Sequence, residues 1–227
     1  MKGKLALGPI TGMGAGASDH MAAFVMNPME HAVLSRITLA TGADFASQPA
    51  SYKEDASWKH ALEEQYGALS EDMQVFADHS QRMNNDWAHT GRADAPAVRA
   101  HMDALWSALH AGHDSLQERE ALQKDFARME TAAVNLQNNL PEEKLAECRP
   151  QLALLRQLAD ADQTVLYLVQ SEQEGQKHTA DVLSHRLAHE LQALPSSEKA
   201  CLSENTSAAF LQEGLDWYQQ QKKHSSK

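Results

Sequence analysis

The twelve histidines of this 227-residue sequence are the side chains whose type and spacing most invite chemistry. His178, His185 and His189, with Val182 between them, fall on one narrow stripe of a helix that turns about 100° per residue. His185 and His189, one turn apart, supply two of the imidazoles a divalent transition metal takes. Asp181 is displaced from that stripe. The chain has no HExxH, so the general base of a zinc protease is missing. Leu183, Leu187, Leu191 and Leu194 form a second stripe on nearly the opposite side of the same helix, so the histidines face away from the core those leucines build. A solvated face or polar seam is expected here. No cofactor is expected, and a divalent transition metal held by His178, His185 and His189 is the alternative.

A second group is His101, His110, His113 and Asp114. The adjacent pair His113-Asp114 resembles the central signature of the HD-domain phosphohydrolases, which are all-helical enzymes. That resemblance implies divalent metals held by an earlier histidine (His79 or His89), by the pair itself and by a later aspartate (Asp160, Asp162 or Asp181). It covers the dipeptide alone, flanked here by Ala111, Gly112, Ser115 and Leu116. Asp114 also suits the N-cap of a helix. The pairs His60/Glu64 and His185/His189 lie too far apart for a compact di-iron bundle, and the ExxH pairs of ferritin-like sites are absent. There is no GxSxG elbow, and the run GPITGMGAG lacks the GK[ST] of a phosphate loop.

The elements that would position these residues read as helices. Trp58, Leu62, Tyr66, Leu69, Met73, Phe76, Ser80, Met83 and Trp87 follow alternating steps of four and three, an a/d heptad stripe with one polar member. They predict one helix over about 51–90, with Gly67 off the stripe. A short helix is expected over 18–26. Another is expected from Asn27-Pro28-Met29-Glu30 to Thr41, with Gly42 as its stop. Asp94 and Pro96 open the next, Asp114 or Ser115 caps a long one, and Pro141 starts a short one ending near Cys148. Pro150 then begins a further long helix, Gly175 bends or breaks it, and Asn205 or Thr206 caps the last.

Hydrophobic residues make up 42% of the chain, but Val and Ile are scarce while Ala, Leu, Glu and Gln abound, which disfavours a sheet. The expected fold is all-α, an elongated bundle of long heptad-patterned antiparallel helices. A flexible Gly-rich arm would span 1–17, a single helical domain 18–221 and a disordered tail 222–227. The first residues have the charged start of a secretory leader, but Gly8, Pro9, Gly12 and Gly14 interrupt its apolar core, which favours the arm. Cys148 and Cys201 read as isolated buried thiols.

The formal net charge of -11 argues against nucleic acid and against an anionic membrane surface. No run is long and apolar enough to span a bilayer, so a soluble chain is expected, cytoplasmic rather than exported. Large adaptable side chains on the heptad stripe are of the kind protein interfaces favour. The functional expectation is therefore a non-enzymatic interaction or assembly module, acting through self-association or a protein partner. Leu69, Met73, Phe76, Met83 and Trp87 would form its contact seam. The alternative is a metal-binding helical protein or an HD-like phosphohydrolase.

Overall fold

A computed structural model of the chain describes residues 3–14, 16, 20–81 and 92–225. Among them are eight α-helices: α1 (Ser35–Ser47), α2 (Glu54–Tyr66), α3 (Ser70–Asp78), α4 (Pro96–His110), α5 (Leu116–Asn139), α6 (Glu142–Gln173), α7 (Lys177–Gln192) and α8 (Ser207–Ser225). No strand forms among the described residues, and the only β-type pairing there is an isolated parallel bridge between Lys4 and Cys201. The all-helical expectation holds at that level.

The longest helix, α6, is the axis of the fold, with α5, α7 and α8 packed around it. Its length makes Leu152, Leu155, Leu158, Val165, Leu168 and Val169 fully buried or nearly so. Helices α5 and α6 run antiparallel from the tight turn at Leu140-Pro141. The single core also takes in Trp58, Leu62, Met73 and Phe76 from α2 and α3, and Phe126, Met129 and Phe210 from α5 and α8. Pro150 lies inside α6 instead of opening a new helix. A proline there removes one backbone donor, at about 3 kcal/mol, and the surrounding core offsets it.

The continuous helix expected over 51–90 does not form. Gly67 ends α2 at φ 52° and ψ -119°, a conformation that L side chains rarely adopt, and a 3-10 turn over Gly67–Leu69 leads into α3. After α3 the chain turns at His79 and Ser80; the remainder of that expected helix lies outside the described residues.

The beginning of the chain is also unlike the expected arm. From residue 3 to residue 10 burial alternates, with Leu5 and Leu7 fully buried, as in a strand with one covered face. Its carbonyls are taken by side chains in place of a neighbouring strand. Ser80 Oγ donates to Leu5 O (2.8 Å), Trp58 Nε1 to Leu7 O (2.7 Å) and Tyr52 OH to Ile10 O (2.8 Å), while the single Thr38 hydroxyl proton is shared between Ala6 O and Gly8 O (3.0 Å each). Residues 21–29 form no helix either. Helix α1 starts at Ser35 because Glu147, from α6, accepts the amides of Val33 and Leu34 and so caps it from a distance. Gly42, the expected stop, is buried within α1, where Met26 and Phe24 press against it.

Candidate functional site

The extended segment 4–13 and the segment 24–31, with Ser35, Thr38 and Leu39 of α1 and Gln81 beyond α3, enclose an open groove of about 640 Å³. Its walls are mostly apolar: Met13, Phe24, Val25, Met26 and Met29 lie on or beside the helix-free stretch. Val25 is 87% exposed. Polar groups gather beside it in Asn27, Glu30 and His31. Gln81 is nearly fully buried, and its Oε1 finds no partner among the described residues.

A buried polar hub holds this groove to the helices. His79 Nδ1 lies 2.9 Å from Ser203 Oγ, Ser203 N donates to His79 O, and Gln81 N donates to Asp94 Oδ1 at 2.8 Å. Ser203 Oγ also accepts the amide of Ser207 at 3.2 Å and so caps α8, while Thr206 Oγ1 donates to Asp94 O. Cys201 N donates to Gly3 O, and Lys4 pairs with Glu204 at 3.1 Å. Burial lowers the His79 imidazole to about 4, so it is neutral at pH 7. Burial likewise raises the Asp78 carboxyl to about 6, against a hydrogen bond from Gln81.

The histidine candidates are not brought together. His178, His185 and His189 are exposed along α7, whose leucine stripe turns inward with Leu187 fully buried. Among the described residues no three His, Cys, Asp or Glu side chains are gathered to hold a metal ion. The HD-like set is scattered too among the described residues, outside which His89 lies. His113 and Asp114 sit in the exposed turn before α5, where Asp114 Oδ1 accepts Leu116 N at 3.1 Å. His79 serves the hub, Asp160 pairs with Arg186, Asp181 pairs with Lys222, and Asp162 is enclosed in the core.

Of the seam, Met73 and Phe76 are fully buried in the chain's own core, Leu69 is partly buried at the turn before α3, and Met83 and Trp87 lie outside the described residues. Cys148 and Cys201 are buried free thiols, and burial raises each to about 12, which leaves both protonated. No helix among the described residues is long and apolar enough to cross a membrane.

The overall fold is one that known proteins share with this chain. The chain belongs to the hyaluronidase post-catalytic domain-like family, whose model matches residues 97–211, just over half of its length. A second family model, β-N-acetylglucosaminidase, matches residues 1–78, the part that forms the groove. The solved structure of CpGH84B is similar at 27% identity and a TM-score of 0.87, over 94% of this chain and 37% of that one. Two others share the fold. CpGH84D matches at 18% identity and a TM-score of 0.78, over 84% of this chain and 33% of its own. A mutant of the Thermobaculum terrenum O-GlcNAc hydrolase matches at 17% identity and a TM-score of 0.80, over 93% of this chain and 44% of its own. The chain thus spans less than half the length of each.

These matches overturn the expectation of a non-enzymatic assembly module, and with it the leaning away from an enzyme. The heptad seam misled because a/d spacing is as well served by a chain's own core as by a partner, and here the core takes Met73 and Phe76. The groove residues were missed because the alternation around Leu5 and Leu7 is only a few residues long and Gly8 and Pro9 interrupt it.

Proposed function

We propose that the chain works within a β-N-acetylglucosaminidase, cleaving the glycosidic bond of a β-linked N-acetylglucosamine. Residues 1–78 contribute one wall of the catalytic part, and the bundle over 97–211 braces that wall from behind. The observation that carries this reading is the order of the two family matches along the chain, set against the groove. The stretch matched by the glycosidase family holds every residue that lines the open groove except Gln81, and the stretch matched by the post-catalytic family supplies α4 to α7.

Chemistry divides the groove. Hydrolysis of a glycoside proceeds through carboxyl groups flanking the scissile bond. Glu30 is the one carboxylate among the described lining residues, so the wall binds and orients while further carboxyl groups come from outside it. Asn27, Glu30 and His31 offer donors and acceptors to a sugar's hydroxyl and acetamido groups, and the apolar remainder with Val25 packs against the rest of the catalytic part. Titration of the isotope-labelled chain with a β-N-acetylglucosaminide, followed residue by residue by NMR, tests this. Shifts in the amides of Ala6, Gly8, Asn27 and Glu30 are the expected result, and an unperturbed 4–31 stretch would contradict it.

A further inference from the structure

Helices α5 and α6 enclose a second, smaller groove of about 270 Å³, built from residues outside the first. Leu116, Arg119 and Gln123 recur on one face of α5, and Gln163 and Tyr167, one turn apart, meet them from α6. Tyr167 is 48% exposed and Leu116 50%, so a large aromatic and a large aliphatic side chain stand in solvent beside neutral amides. Gln163 Oε1 is buried and accepts no hydrogen bond among the described residues. An amide oxygen in that state costs free energy until a donor reaches it.

Arg119, Gln170 and Glu174 of the lining are held by hydrogen bonds. Arg119 Nε donates to Ser115 Oγ at 3.3 Å, and that hydroxyl donates to Gln173 Oε1 at 2.9 Å. Glu174 accepts from Gln170 and from Gln176 at 2.7 Å each. The lining mixes both signs of charge, which suits an uncharged ligand. An exposed ring beside amides matches a pyranose, whose apolar face stacks on the ring while its polar groups reach the amides. The cavity is too small for a folded partner and fits a sugar unit of a chain.

We propose that the α5–α6 groove is a secondary site for an uncharged oligosaccharide of N-acetylhexosamine units, with Tyr167 as the stacking platform and Gln163 Oε1 as the acceptor for an acetamido N–H. The class of sugar rests on the glycosidase reading above, while the site itself rests on the lining. Chitotriose titrated into the full chain should shift amides within 116–123 and 163–174. Tyr167→Ala should weaken that binding about tenfold, close to 1.4 kcal/mol, with the helical circular dichroism unchanged. Cellotriose, which lacks acetamido groups, should bind more weakly than chitotriose, and Gln163→Leu should erase the difference. Absence of shifts in these two stretches, or equal affinity of wild type and Tyr167→Ala, would overturn the proposal. Because each residue is read separately, shifts confined to 4–31 would sustain the glycosidase reading and reject this site. The converse pattern would do the reverse.

Discussion

Glu147 Oε2 accepts the amide of Leu34 at 2.9 Å, and the two carboxylate oxygens of Glu147 take the Val33 amide at 3.0 and 3.1 Å. A carboxylate on α6 therefore fixes where α1 begins. It meets the unpaired donors and the positive end of that helix together. Glu147→Ala should cost about 1–2 kcal/mol, the range for loss of a helix cap. Glu147→Gln should cost less, because an amide oxygen still accepts. Urea unfolding of the two variants checks the order.

Trp58 ties the strand-like segment to α2 through its Nε1 donor to Leu7 O at 2.7 Å. Trp58→Phe keeps an aromatic ring and removes the donor, leaving a buried carbonyl unpaired. The expected loss is about 1–3 kcal/mol. Hydrogen exchange should quicken at the Leu7 amide, which donates to Ser80 O, more than in α5 or α6.

Two glycines make opposite errors visible. Gly42 read as a helix stop but is a packing position, because a Cβ there would stand 2.1 Å from Met26 Sδ. Gly67 read as a tolerated interruption but is the break, at φ 52°. Gly42→Ala should be close to neutral, because the Met26 side chain swings aside at small cost while alanine favours the helix, and Gly67→Ala should destabilise by about 1 kcal/mol through backbone strain. Thermal unfolding of both variants reads the difference. Local spacing cannot separate the two roles, because a residue distant in sequence or a backbone angle decides each.

What was legible follows the same line. The leucine stripe of α7, the starts at Pro96 and Leu116 and the break at Gly175 are set by neighbours within a few residues, and they were readable. The start of α1, the fate of residues 3–10 and the path of α6 through Pro150 depend on partners such as Glu147 and Trp58 that lie far away in sequence. The histidine stripe on α7 lies opposite the leucines as its spacing predicts, and among the described residues no further ligand is gathered beside it.

Asp162 is wholly enclosed in the core by α6, and burial raises its carboxyl to about 8. The Ser207 hydroxyl offsets this slightly, although neither group reaches hydrogen-bond geometry. The folded chain holds this proton more tightly than the unfolded chain, whose carboxyl ionises near the usual 3.8. The contribution to stability is therefore full below that value and is lost as pH rises toward 8. Asp162→Asn should flatten stability across that window and gain about 1–2 kcal/mol near pH 8. A pH series of urea midpoints for wild type and variant checks both sign and size.

The most direct test of the central claim is the residue-resolved titration of the chain with a β-N-acetylglucosaminide. The groove wall predicts saturable shifts at Ala6, Gly8, Asn27 and Glu30, reduced by Asn27→Ala without loss of helicity. A chain whose 4–31 stretch stays unperturbed at saturating sugar would contradict a glycosidase wall.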